Sequence, residues 1–351
     1  MKKDPETILV IQTAFIGDAV LTLPLIQILK KRYPAAEIGV VVVPRSAELF
    51  HNHPAITKII EYDKRGRLSG MRGFFQIVNE VRQQDYDLAV IPHRSIRSAL
   101  LAKLARIPER IGFDTSAGRF LFTKSVRYRN EDHEIDRNLS LLQGISGKFE
   151  GRELPDLFPT SDDVKKTDEF LAAVNLENEE RLIAIAPGTI WNTKRWLKEQ
   201  FAALARMLLQ KGYAVVLIGG PEDRVLCEEI QELAGDAKVV NASGRLPLMQ
   251  SVELVRRSRL LVSNDSAPMH LGVAMRTPVV AIFGATVPAF GFAPYGAHDV
   301  IVEILGLPCR PCSIHGGEKC PIKTFVCMKN ITAERVCEEA MRVLSTVGRT
   351  H

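Results

Sequence analysis

The stretch Thr7-Ile8-Leu9-Val10-Ile11-Gln12-Thr13-Ala14-Phe15-Ile16-Gly17-Asp18 decides the fold class. Its first half is apolar at both parities, as a strand covered on two faces reads, and a helical pattern takes over at Asp18. A buried strand that delivers Gly-Asp to a helix N-terminus sets a carboxylate among unpaired N–H groups and the positive end of a dipole. The device recurs far downstream. There, Leu260-Leu261-Val262-Ser263-Asn264-Asp265-Ser266-Ala267-Pro268-Met269-His270 again runs from an apolar strand into a helix. Two such crossings, one in each half, predict an α/β protein of two doubly wound, Rossmann-like halves facing one another across a cleft, with ligands at the carboxyl ends of the strands.

Alternation of short apolar runs with helical patterns extends outward from both crossings. In the first half the pattern predicts strands at Thr7–Thr13, Glu37–Val43, Thr57–Ile60, Leu88–Ile91 and Arg110–Gly112, and helices at Asp18–Arg32, Met71–Arg82 and Ser95–Ala105. In the second it predicts strands at Leu182–Ala186, Ala214–Ile218, Lys238–Asn241, Leu260–Ser263 and Pro278–Phe283. The accompanying helices are Leu197–Gln210, Glu222–Ala234, Leu248–Arg257, Pro268–Met275 and Thr332–Val347. A polar stretch from Gly144 to Ser161 with two prolines reads as a linker. The expected domains are 1–160, 161–331 and a C-terminal helical segment, 332–351, returning to the first domain.

The chain has 351 residues, more than one hydrophobic core usually organises, and its 46% hydrophobic and 25% charged shares are those of a globular protein. It holds no apolar run of about 18 residues and no secretory leader pattern, so a cytoplasmic location is expected. The net charge of +5 lies wholly in the first 160 residues, where 24 Lys and Arg face 19 Asp and Glu. Between Pro92 and Arg129, nine basic residues meet two acids. Such a cluster is either a solvated face or a site for an anionic partner, phosphorylated substrate or acidic membrane. No aromatic-basic interleaving accompanies it, so nucleic acid is not expected.

Asp18 fits two roles, a helix cap or a general base. Asp265, Ser266 and His270 likewise fit either caps with a core histidine or a diphosphate site at a helix N-terminus. Between them, Ala186-Pro187-Gly188-Thr189-Ile190-Trp191-Asn192-Thr193-Lys194-Arg195-Trp196 brings Thr189 and Lys194 to another strand end. Glu222 follows Gly219-Gly220 and is placed for a ribose. Neither G-x-x-x-x-G-K-[ST] nor G-x-G-x-x-G occurs, which argues against a P-loop enzyme and a nicotinamide dehydrogenase. The one D-x-D, Asp85-Tyr86-Asp87, precedes a strand and belongs at the edge opposite the ligands. Cys309, Cys312, Cys320 and Cys327 are spaced either for a structural zinc or as a loop of partly buried thiols.

Together these segments resemble the ADP-heptose:lipopolysaccharide heptosyltransferase family of GT-B glycosyltransferases, in particular its heptosyltransferase II branch. The likeness rests on Ile16–Pro24, on Ser98-Ala99-Leu100-Leu101 leading to Arg110–Phe113, on Lys194-Arg195-Trp196, on Asn264–His270 and on Phe283-Gly284-Ala285-Thr286. The loop from Cys309-Arg310-Pro311-Cys312 to Cys327-Met328 also looks like that branch. The resemblance implies inverting, metal-independent transfer of L-glycero-D-manno-heptose from ADP-heptose to the lipid A-Kdo type inner core of lipopolysaccharide. It implies Asp18 as base, Lys194 and Thr189 near the diphosphate, Glu222 near the nucleoside, and Asp265, Ser266, Ala267 and His270 around diphosphate and sugar. Many members carry glycine where this chain has Ala267. Arg94 and Arg97 are the expected acceptor contacts, with peripheral attachment to the anionic inner membrane. A nucleotide-sugar epimerase of the same bilobal fold and a non-catalytic two-lobed binding protein are the alternatives.

Overall fold

The computed structural model describes residues 4–145, 147–177 and 181–347; the tail 348–351 of the expected C-terminal segment lies outside them. The chain divides into two compact units, 1–158 and 159–351.

The first unit runs β1 (Thr7–Gln12), α1 (Ile16–Arg32), β2 (Glu37–Val42), α2 (Pro44–Ala47), β3 (Lys58–Glu61), α3 (Gly70–Arg82), β4 (Leu88–Ile91), α4 (Ile96–Leu104), β5 (Glu109–Phe113), β6 (Lys124–Val126) and α5 (Glu134–Ser140). Its strands form one parallel sheet in the order β3-β2-β1-β4-β5-β6. The order reverses direction beside β1, which pairs Val10 with Val40 on one side and Val90 on the other. Strand β1 is therefore the switch point, and Asp18 enters its helix at that place. Asp87 accepts the amides of Glu6 and Thr7 at 2.9 and 3.0 Å, so the D-x-D segment closes the amino edge of the sheet as expected. Strand β6 and helix α5 go beyond the sequence reading. β6 has three residues, two of them exposed, and α5 is a seven-residue helix within a charged run.

The second unit runs α6 (Ser161–Ala173), β7 (Leu182–Ala186), α7 (Lys198–Gln210), β8 (Ala214–Leu217), α8 (Arg224–Ala234), β9 (Val239–Asn241), α9 (Leu248–Arg257), β10 (Leu260–Asn264), α10 (Ala267–Ala274), β11 (Val279–Phe283), β12 (Val300–Glu303), α11 (Val326–Lys329) and α12 (Ala333–Thr346). Its parallel sheet has the order β12-β11-β10-β7-β8-β9, the same plan as the first. The stretch read as a linker is largely anchored. The side chain of Gln27 donates to Glu153, to the Leu154 carbonyl and to Asp156, and His53 packs edge-on against Phe158. Thr160 and Asp163 then form a reciprocal cap that opens α6. Helix α12 buries Val336, Cys337, Ala340 and Val343 in a core shared with Phe201 and Leu208 of α7. The apolar face that the sequence suggests would return to the first half is taken up in the second unit.

Candidate active site

In the first unit the carboxyl ends of β1 and β4 supply the polar groups. Pro24 removes one N–H from the α1 ladder, and Asn138 of α5 donates to the nearby Leu21 carbonyl at 3.0 Å, docking α5 on α1. The first turn is braced further by Thr22, whose hydroxyl donates to the Asp18 carbonyl at 2.8 Å and accepts from Gln12. The Phe15 amide donates to Asp18 Oδ2 at 3.2 Å, so the carboxylate does act as a cap. It is not only a cap. Burial, and then the charge of Glu134, push the Asp18 carboxyl up to about 6, against the Phe15 and Asp18 amides and Arg94, which pull it down. A plain surface cap beside a helix dipole would be pulled the other way.

Glu134 belongs to a buried cluster that sequence reading missed. Its Oε2 accepts from the Tyr128 hydroxyl at 3.1 Å and from Arg137 at 2.9 Å. The guanidinium carbons of Arg94 and Arg137 lie 4.2 and 4.8 Å from the Tyr128 ring centre. Arg94, itself exposed, is thus held on an aromatic face beside Asp18. Arg97 lines a small cavity of about 20 Å³ with Thr13, Tyr62, Lys64, Ser95 and Ser98. Lys64 donates to the Thr13 carbonyl at 2.5 Å, and burial and two arginines hold its ammonium below the usual range. His93 Nδ1 lies 3.0 Å from Thr13 Oγ1 and 2.9 Å from Ser98 Oγ, and burial pushes its ring down to about 4.

In the second unit the ends of β7, β10 and β11 converge. Asn264 locks two of them: its side chain accepts from the Trp196 amide at 3.0 Å and donates to the Pro187 carbonyl at 2.8 Å. Trp196 is buried and donates from its ring to the Ile331 carbonyl, so the segment carrying Lys194 is anchored at its end. Lys194 Nζ reaches Asp265 Oδ2 at 2.7 Å, with both side chains largely buried. The Thr286 hydroxyl donates to the same oxygen at 2.6 Å. Ser266 stands at the N-cap position of α10 without capping it, its hydroxyl donating instead to the Gly188 carbonyl, 3.3 Å away; Ala267 is the first helical residue and His270 is buried one turn further. Thr189 offers its carbonyl to Arg195, while Glu222 is exposed on the turn after β8. Asp223, its neighbour, packs where a side chain on Gly188 or Gly219 would stand.

Arg310 also escaped the sequence reading. It bonds the carbonyls of Thr286 and Ile304 and the carboxylate of Glu303, bracing the turn that grips Asp265. This is one use of the Cys-rich loop that the structure displays; its four thiols, which the spacing reads either as a zinc site or as a partly buried loop, are partly or fully buried. Among the described residues no three His, Cys, Asp or Glu side chains gather to hold an ion. Cys327 is buried in the core, Cys312 donates to the Cys309 carbonyl, and amides of residues 322–325 surround Cys320, outweighing burial and holding its thiol low. All four are free thiols.

Residues 74–320 match the model of glycosyltransferase family 9 (heptosyltransferase). The chain belongs to that family. Within glycosyltransferase family 9 it is 30% identical, over 85% of its length and 88% of the relative's, to lipooligosaccharide heptosyltransferase 2 of Haemophilus ducreyi. It superposes on the family 9 glycosyltransferase of Veillonella parvula with a TM-score of 0.89 at 25% identity, covering 99% of both chains. For the ADP-heptose lipopolysaccharide heptosyltransferase II of Escherichia coli the values are 0.79 and 26%, covering 97% of this chain and 99% of that one. The two doubly wound units are those of the GT-B class, as the resemblance implied.

Proposed function

We propose that this family 9 member moves L-glycero-D-manno-heptose from ADP-heptose to the inner core of lipopolysaccharide, with inversion, as a heptosyltransferase II. The first unit would supply the base and the acceptor contacts, the second the donor site. A sugar hydroxyl is a weak nucleophile, and a carboxylate titrating near 6 accepts its proton at neutral pH, worth about 10²–10⁴ in rate. Arg94, fixed on Tyr128, and Arg97 would hold anionic groups of the acceptor.

A departing ADP carries its charge onto donors fixed in advance. In this reading Lys194 exchanges Asp265 for the diphosphate, and the amides at the start of α10 and the Thr189 hydroxyl complete the cradle, with Glu222 and His270 toward nucleoside and sugar. These fixed donors make the transfer independent of a divalent ion. What supports the reading above all is the buried Lys194–Asp265 pair at the N-terminus of α10, in a chain that matches family 9. An epimerase would call for a second acid-base group beside Asp18; the neighbour Glu134 is already engaged by Tyr128 and Arg137.

The enzyme would work at the inner face of the inner membrane, attached peripherally; among the described residues no helix is long and apolar enough to cross a bilayer. Incubation with ADP-heptose and truncated lipopolysaccharide acceptors, followed by mass spectrometry, should show the mass of one heptose added. No added mass, or release of an epimerised nucleotide sugar, refutes the assignment. Turnover should persist in EDTA, and inhibition reversed by magnesium would refute the metal-free step.

A further inference from the structure

Of the exposed large apolar side chains of the first unit, five are Phe15, Met71, Phe75, Ile96 and Phe120, at 51, 66, 48, 49 and 73%. Single exposed apolar residues are ordinary, but topology collects these. Phe15 follows β1 and precedes α1. Helix α3 ends only a few residues before β4 begins, so its opposite end, with Met71 and Phe75 one turn apart on one face, starts at the carboxyl edge of the sheet. Ile96 opens α4 just past the end of β4. Phe120 follows Gly118, where a Cβ would stand 2.5 Å from Ala99 Cβ and 3.2 Å from Ile96 Cα, so this loop rests on the first turns of α4. Arg97 bridges the two helices, its guanidinium carbon 5.9 Å from the Phe74 ring.

The rim of this edge is predominantly positive. Arg65, Arg67, Arg72, Arg94, Arg97 and Arg119 are exposed on the same segments, against the exposed acids Glu61 and Asp114. Bulky apolar tips ringed by arginine match a surface of anionic headgroups over acyl chains. We propose that this edge docks on an anionic phospholipid bilayer, with Met71, Phe75 and Phe120 entering the headgroup boundary and Arg65, Arg67, Arg72 and Arg119 on lipid phosphates, which leaves Arg94 and Arg97 to the acceptor. The proposal rests on the transferase reading in one respect: a lipid-anchored acceptor then arrives at the edge that carries Asp18.

Flotation with phosphatidylcholine vesicles, with and without phosphatidylglycerol, tests it. Wild-type protein should float with the phosphatidylglycerol vesicles and release as salt rises. A Met71→Ser/Phe75→Ser double variant should bind at least about tenfold more weakly, and neutralising Arg65 or Arg67 to Gln should cost about fivefold each. Equal binding to neutral vesicles, or unchanged binding of the variants, overturns the proposal. So does a double variant that loses only self-association by sedimentation velocity, which would make the face a protein interface. The double variant should still act on a water-soluble, deacylated acceptor while losing activity on the vesicle-embedded one. If wild-type protein uses neither acceptor the transferase reading fails, and flotation still decides the docking.

Discussion

Asp18→Asn separates the two roles of this residue in one experiment. Asn keeps an oxygen for the Phe15 amide, so a residue that was merely a cap would lose little. The native carboxyl titrates about two pH units above its ordinary value of 3.8 because folding buries it near Glu134. Folding then favours the protonated form, and ionising Asp18 costs stability. The cost is absent below pH 3.8, grows between 3.8 and about 6, and is full above that. Two units correspond to about 3 kcal/mol, and partial solvent access reduces this to about 1–2. Asp18→Asn should therefore be more stable than the parent by about that amount at pH 7.5 and no more stable at pH 3.5, by urea unfolding, while sugar transfer is lost. A variant equally or less stable at pH 7.5 would refute the argument that this carboxylate is held poised as a base.

Transfer should fall as pH drops through about 6, and Glu134→Gln should move that limb lower by removing the neighbouring charge; an unmoved limb in the pH profile of kcat/KM contradicts the coupling. Lys194→Ala should reduce kcat by about 10²–10³ and weaken ADP binding in calorimetry, whereas unchanged ADP affinity removes Lys194 from the donor site. Arg310→Met should destabilise the protein by about 3 kcal/mol and raise the donor KM more than it lowers kcat, as urea unfolding and steady-state kinetics would register. Trp196→Ala should cost about 3–5 kcal/mol in the same unfolding assay.

The twin sheets were legible because their central strands are apolar at both parities, a pattern that only strands covered on both faces require. Edge strand β12, with one fully buried residue in four, carries no such pattern. Asp18, Lys194 and Asp265 stood out as candidates because each lies on the segment that leaves the carboxyl end of a strand, β1, β7 and β10 respectively. Glu134, Tyr128 and Arg137 were not, since packing of α5 on α1 brings them to Asp18 and no spacing announces it. The run Arg127-Tyr128-Arg129 ahead of His133-Glu134 was the available hint. Arg310 was hidden by the cysteines around it, which draw attention to metal rather than to the turn beyond.

The Cys-rich loop reaches Lys194 from a second side. The Gly317 amide donates to Thr193 Oγ1 at 2.7 Å, and a Cβ on Gly316, whose φ is +84°, would stand 2.9 Å from Lys194 Cγ. The loop thus shapes the path of the Lys194 side chain. On the proposed donor role of Lys194, a side chain placed at Gly316 would push the lysine stem aside and alter donor handling from a position that need not touch the ligand.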